Sequence, residues 1–154
     1  EREIFPVGVV QGDGVFVRRS VFEKVGLFDP RFFLMHEESD LCLKAKRQGF
    51  EVGIVRDARF MRMNAATIGA GSPLQKYYAV RNIFLLVQKN TRGKGRWKQM
   101  IRQLKKLKWD LFDYYLARYL KTKDPAYLRN AFPMFRGLLD FALGRFGRSK
   151  IYFN

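Results

Sequence analysis

The apolar positions change period partway along the chain. Up to about residue 60 they fall in short β-branched and aromatic runs, and beyond Pro73 they recur at three- and four-residue steps. Val7-Gly8-Val9-Val10 and Val15-Phe16-Val17-Arg18 flank Gln11-Gly12-Asp13-Gly14, which predicts strand, tight turn and strand. Ser20-Val21-Phe22-Glu23 has the spacing of a capping box and Gly26 suits a C-terminal stop, so a short helix is expected there. Leu27-Phe28-Asp29-Pro30 predicts a turn, because Pro30 fixes its own φ and pushes Asp29 out of the helical region.

His36-Glu37-Glu38-Ser39-Asp40 leads into Leu41 to Gln48, a helix pattern with acids in its first turn, bases in its last, and Gly49 as stop. Phe50 to Val55 alternates as a strand does, and the Gly-rich segment from Met63 to Ser72 reads as a loop. Past Pro73 a helix is predicted over roughly Leu74 to Gln88, then a basic break from Asn90 to Gly95. In the longer helix that follows, Trp97, Met100, Ile101, Leu104, Leu107, Leu111, Phe112, Tyr115 and Tyr119 form an apolar stripe, while Lys98, Arg102, Lys105, Lys106 and Lys108 crowd its first half. Asp124-Pro125 ends it. Ala126 to Phe146 predicts another helical stretch, interrupted near Pro133, with Phe132, Phe135, Leu138, Leu139 and Leu143 as its apolar face. The pattern divides the chain into a mixed α/β unit, residues 1–72, and an α-helical tail, residues 73–154.

Charge sharpens that division. Of 30 basic and 14 acidic residues, which give a net +16, residues 91–154 hold 16 of the bases and only four of the acids. Such a balance favours anionic partners: nucleic acid, anionic lipid head groups or diphosphates. Zinc-finger spacing, an RNP-type aromatic strand and a helix-turn-helix signature are all missing, so no nucleic acid is expected. Cys42 is the single cysteine, which excludes an internal disulfide framework and a thiolate metal cluster and suits a reducing compartment. No apolar run reaches the ~18–20 residues that span a bilayer. The chain opens Glu1-Arg2-Glu3, close to strand-like sequence, and reads as a piece of a longer protein.

The acids are the chemically informative feature. A helix start bearing Glu37, Glu38 and Asp40 gathers carboxylates where backbone amides and the helix dipole keep them charged, as a general base requires. The plain alternative is charge complementarity at a helix N-terminus. His36, the single histidine, stands directly before the acid pair, as an acceptor-pocket residue or a structural one.

Four motifs in order carry a resemblance. Gly12-Asp13-Gly14-Val15-Phe16-Val17-Arg18-Arg19, Phe22 to Asp29, Glu37-Glu38-Ser39-Asp40-Leu41-Cys42-Leu43 and Gly49-Phe50, with Asp57-Ala58-Arg59 and Tyr77-Tyr78-Ala79-Val80-Arg81-Asn82 beyond, resemble the C-terminal half of bacterial family 2 glycosyltransferases, rhamnosyltransferase-like. The resemblance covers about residues 5–90. It implies an α/β fold, the acceptor-side half of a GT-A (nucleotide-diphospho-sugar transferase) domain, followed by the helical tail. It also implies an inverting enzyme that moves a sugar from a nucleotide-sugar donor to a glycan or polyprenyl-diphosphate-linked acceptor in cell-surface polysaccharide synthesis.

Within that resemblance Glu38 matches the base that takes the acceptor proton, at a position where the family more often has Asp. Glu37 and Asp40 would support it, and Gly12, Asp13, Gly14 and His36 would shape the acceptor site, Gly12 to Gly14 being otherwise a plain hairpin turn. A divalent metal, Mg or Mn, would serve the full-length enzyme through ligands outside this chain, and the segment alone would be inactive. Where many relatives carry a metal-holding His after the strand, this chain has Arg62. Arg62 would contact the diphosphate directly, or be a solvated loop charge; Arg81 would contact phosphate, or be a helix-surface ion partner. The basic amphipathic tail would bind the anionic membrane surface, making the protein cytoplasmic and peripheral to the inner face of the cell membrane. The alternative is a non-catalytic remnant or an interaction module that retains this half of the fold.

Overall fold

The computed structural model describes residues 3–61, 69, 71–150 and 152. Its sheet, among these residues, is one antiparallel ribbon of β1 (Ile4–Pro6) and β2 (Gly53–Val55), with Ile4 opposite Val55 and Pro6 opposite Gly53. Backbone bonds from Val7 to Val52 and from Arg56 to Glu3 extend it at both ends. The expected strand-turn-strand over residues 7–18 does not form. The first strand lies earlier and pairs with β2, some fifty residues on, rather than with its neighbour. Gly12–Gly14 is a single 3-10 turn, and Val15 to Arg18 run outside any sheet.

The short helix α1 spans Arg19–Val25 with Arg18 at its N-cap and no side-chain cap. The capping box expected of Ser20 and Glu23 is therefore absent: the N-cap falls two residues earlier, at Arg18, and Glu23 instead accepts from Arg19 Nε at 2.8 Å. Gly26 closes α1 at φ 78°, a value that glycine takes without strain. Helix α2 spans Glu37–Arg47 with the predicted acids in its first turn and bases in its last.

Helix α3, Pro73–Asn90, starts with Ser72 Oγ accepting from the Gln75 amide and Pro73 at the first helical position. The break after it is shorter than expected, because α4 (Gly93–Lys108) takes in both Gly93 and Gly95. The same rod continues through a π-helical segment, Trp109–Leu116, into α5, Ala117–Thr122. A π turn closes i→i+5 bonds and so re-phases the side chains that follow it. Asp124 accepts from the Ala126 amide to start α6, Ala126–Ala142. The expected interruption at Pro133 does not occur: packing against α3 keeps α6 continuous.

The core of the helical part is built on α3. Phe84, Leu107 and Met134, one each from α3, α4 and α6, are buried together, and Val80, Met100, Leu111, Tyr115, Leu138 and Phe141 close around them. Helices α3 and α6 are in tight backbone contact at Gly137, where an added Cβ would lie 2.5 Å from the Tyr77 carbonyl oxygen and 3.2 Å from the Arg81 nitrogen. Tyr77 Oη, beneath, donates to Asp140 Oδ2 at 2.8 Å.

A backbone atom cannot give way as a flexible side chain does. Gly137→Ala should therefore destabilise the fold by about 1–3 kcal/mol through forced separation of α3 and α6. Urea unfolding of the two proteins checks this, and an unchanged midpoint would show that the two helices are not held at that distance.

Candidate functional site

The acid pair is delivered by an unusual stretch of backbone. Phe33, Met35 and His36 have φ of 60°, 69° and 72°, the left-handed region that non-glycine residues seldom occupy. Three such residues within four persist only where the surroundings over-determine them. Here the surroundings are two adjacent side chains of α3. Asn82 Nδ2 lies 2.8, 2.6 and 2.9 Å from the carbonyl oxygens of Phe32, Leu34 and Met35, to which it donates. Arg81 Nη2 donates to the carbonyls of Arg31 and Phe32, each at 3.0 Å, and Arg81 Nη1 to that of Gly147 at 2.8 Å. Both side chains are buried, and the Arg81 guanidinium lies over the Tyr78 ring at 4.6 Å.

Arg81 is thus neither of the two things the sequence suggested. Its guanidinium is inside the protein and turned to backbone carbonyls, where it meets neither a phosphate nor a surface acid. What the sequence reading missed was the role of Asn82, although the Arg81-Asn82 pair stood within a motif that had been singled out. An adjacent Arg and Asn on a helix face otherwise apolar was the available signal.

Asp40 also proves to be internal. It is fully buried, with Oδ2 accepting from Lys89 Nζ at 2.6 Å and Oδ1 from Asn90 Nδ2 at 2.9 Å. Lys89 reaches Asp29 Oδ2 at the same 2.6 Å, and Arg31 grips both Asp29 oxygens through its guanidinium Nε and Oδ2 again through Nη2. The Arg31 hydrogen bond, with Lys89 beside it, holds the Asp29 carboxyl well below the usual carboxylate range. Asp40 accordingly locks α2 to α3, a supporting part rather than a reacting one.

The remaining predicted residues come together at the open end of α2. His36 is its N-cap, in the left-handed conformation and without a side-chain cap bond. The Gly12–Gly14 turn lies against Glu38: a Cβ on Gly12 would stand 3.6 Å from Glu38 Cγ and 3.7 Å from Oε2. On the turn's other side a Cβ on Gly14 would strike the Phe60 ring at 2.8 Å. A side chain at Gly14 would require the exposed Phe60 ring to move, whereas one at Gly12 would meet Glu38 at ordinary contact distance. Asp13 sits exposed on the same turn. Glu38 Oε1 accepts from Ser39 Oγ at 3.1 Å, leaving the half-buried carboxylate held at one oxygen.

The two neighbours of Glu38 feel burial differently. Burial pushes the Glu37 carboxyl up from its ordinary value, its own backbone amide pulls it down, and the Glu38 charge pushes it up again. Glu37 Oε2 is buried with no hydrogen-bond partner among the described residues. Burial pulls His36 down from 6.5, with the Glu38 charge opposing. Near neutral pH the site therefore holds a neutral imidazole close to a carboxylate. Arg59, Phe60 and Met61 border a shallow, open depression beside it. Arg62 lies outside the described residues. No three His, Cys, Asp or Glu side chains converge to hold a cation among the described residues, so no metal is assigned to them.

Comparison with known proteins gives this geometry a context. The chain is 32% identical over 94 residues to a dTDP-rhamnosyl transferase of Shigella flexneri, a match covering 56% of this chain and 32% of that protein. It is also 32% identical over 99 residues to the N-acetylglucosaminyl-diphospho-decaprenol L-rhamnosyltransferase of Mycobacterium tuberculosis, covering 63% of this chain and 31% of that one. A third relative is a low-salt glycan biosynthesis hexosyltransferase of Haloferax volcanii, 32% identical over 53 residues, 34% of this chain and 17% of its own length. The chain spans about a third of the length of the two rhamnosyltransferases. No protein-family model and no solved structure matches it. The class to which the chain is similar is the sugar transferases. Within that class the similarity runs to enzymes of rhamnosyl and hexosyl transfer.

The strained turn should depend on Asn82. Asn82→Ala removes the side-chain donor of the Leu34 and Met35 carbonyls, while Phe32 keeps Arg81, at about 1–3 kcal/mol for each one left unsatisfied. The single histidine gives a direct readout by proton NMR. In the native protein His36 should titrate below 6.5, and in Asn82→Ala, with the turn loosened, it should move back toward 6.5. Since the folded His36 binds its proton more weakly than the unfolded one, its contribution to stability is present above pH 6.5 and is lost as pH falls through that value toward the folded pKa. A His36 titration identical in the two proteins would mean that Asn82 does not set this turn.

Proposed function

We propose that the chain is the acceptor-side part of an inverting, family 2-like glycosyltransferase of the GT-A type, acting in polysaccharide biosynthesis. The observation that carries this reading is the meeting of Glu38 with the Gly12–Gly14 turn at the uncapped start of α2, in a chain similar to rhamnosyl- and hexosyltransferases.

In this reading the acceptor hydroxyl lies between the glycine turn and Glu38. Glu38 accepts the hydroxyl proton as the oxygen attacks the anomeric carbon of a nucleotide sugar, and the bond from that carbon to the diphosphate breaks on the opposite face. The electron pair leaves with the diphosphate and the anomeric configuration inverts. Glu37, made less ready to ionise by burial, stands directly beside the base. Neutral His36 offers the acceptor a donor or an acceptor without drawing the proton from Glu38. The donor would be bound by parts of the enzyme outside this chain.

The acceptor in this reading is a glycan or a polyprenyl-diphosphate-linked sugar, in line with the name of the mycobacterial relative. A lipid-linked acceptor places the enzyme at the anionic inner leaflet. The basic face of α4, with Lys98, Arg102 and Lys105 exposed beside Trp97 and Ile101, would meet it there. Among the described residues no helix is long and apolar enough to cross a membrane.

In the longer enzyme that this reading requires, Glu38→Gln keeps the size of the side chain and removes the base. Turnover should fall on the order of 10²–10⁴-fold with the KM for the donor little changed. An active Glu38→Gln alongside a dead Glu37→Gln would move the base to Glu37. Full activity in both would return the chain to the status of an interaction module.

A further inference from the structure

Helix α6 carries two apolar faces where its packing uses one. Met134, Gly137, Leu138 and Phe141 turn toward α3 and the common core. On the opposite side Leu128, Phe132, Phe135, Leu139 and Leu143 recur at three- and four-residue steps and remain in solvent, Phe132 60% and Phe135 55% exposed. Along a helix axis this stripe runs about 22 Å. Of the apolar face the sequence pattern marks, Phe132, Phe135, Leu138, Leu139 and Leu143, only Leu138 packs against the core. An apolar stripe of this length and ring content is larger than isolated surface hydrophobics account for.

Charge decides what covers it. Residues 91–154 carry 16 bases against four acids. Of those acids, Asp140 is buried, Asp113 is paired with Lys108, and Asp124 is turned to the Ala126 amide. A second copy laid on this stripe would bring one strongly basic surface against another. An anionic bilayer offers the opposite: head groups for the bases and, just beneath them, an apolar layer for the rings. The neighbouring rod repeats the design, with Trp97, Ile101, Leu104 and Phe112 exposed alongside Lys98, Arg102 and Lys105.

We infer that the outward stripe of α6 is a membrane-insertion face, which lies in the head-group boundary of an anionic bilayer with Phe132 and Phe135 as its deepest contacts. The inference rests on the membrane reading above and adds the element that enters the apolar layer. The basic face of α4 supplies attraction that salt screens over about 8 Å at physiological ionic strength, while burial of the α6 rings is not screened. Binding should therefore weaken with salt and yet persist.

The test uses the 154-residue chain with vesicles of phosphatidylglycerol mixed into phosphatidylcholine, and with phosphatidylcholine alone. Wild type should sediment with the anionic vesicles and poorly with the neutral ones. The double variant Phe132→Ser, Phe135→Ser should keep its circular dichroism and melting temperature, since both rings are exposed, and lose vesicle binding by about tenfold or more. Replacing Lys98, Arg102, Lys105 and Lys106 with Glu should abolish the salt-sensitive part. If wild type ignores anionic vesicles, the membrane reading itself fails and this inference with it. If wild type binds and the double Phe variant binds equally well, α4 alone docks and the α6 assignment is overturned. Light scattering that shows a dimer undone by the Phe substitutions would give the stripe to a second copy. Duplex DNA binding tighter than vesicle binding, at the same salt and unaffected by the Phe substitutions, would give the basic surface to nucleic acid. Either result overturns the inference.

Discussion

Two neighbouring side chains, Arg81 and Asn82, hold the turn on which the acid pair depends. Their donors reach four backbone carbonyls, those of Arg31, Phe32, Leu34 and Met35, outside any helix or strand. A buried carbonyl without a donor is costly, and left-handed backbone at Phe33, Met35 and His36 is costly too. Each cost is met by the same pair of residues. Without them the chain entering α2 would relax toward ordinary φ values, and Glu38 would leave the glycine turn. The precision of the site is thus a property of α3, a helix more than thirty residues further along the chain.

The charged contacts near that turn serve the same end. Lys89 stands between Asp29 and Asp40, with Asn90 on the free oxygen of Asp40, so a carboxylate fully removed from water is bonded at both oxygens. Removing Lys89 would leave that buried charge with the Asn90 amide and, at 3.9 Å, Lys44, which is the expensive way to break such a pair. Exposed pairs such as Arg19 with Glu23 contribute far less. The mixed first part of the chain and the helices after it are in this way tied through polar groups of α3, while the apolar side of the same helix carries the core.

Much of the local structure was legible. The helix at Glu37, with its acids first and bases last, follows from dipole complementarity, and the long helices follow from their apolar period. The site was legible in part: Glu38 and the Gly12–Gly14 turn were both singled out, and the structure brings them together. The failures share a cause. The pattern of residues 7–18 fits a hairpin, but the ribbon forms between segments far apart in sequence, and pairing at that distance leaves no local trace. Arg81 reads as a surface or phosphate-binding base because nothing in a sequence says that a charge is satisfied by carbonyls fifty residues away. Asp40 is indistinguishable from Glu38 by composition, yet one is locked inside and the other faces the turn. The apolar face of α6 was visible as a face, whereas its exposure was not, since amphipathic period does not say which of two apolar sides will find a partner.

The π-helical stretch between α4 and α5 has a consequence for how this rod tolerates change in length. An α-helix advances 100° per residue, and a stretch of wider turns sets the direction of everything beyond it. Loss of one residue between Trp109 and Leu116 could be absorbed by tightening to ordinary α geometry, without breaking the rod. The price would appear downstream, where Arg118, Leu120 and Lys121 would swing around the axis relative to Met100 and Leu107. The segment thus works as a phase adjuster. Insertions and deletions confined to it would rotate the end of the rod and shift Leu111 and Tyr115 against the core, while leaving Met100 and Leu107 in place.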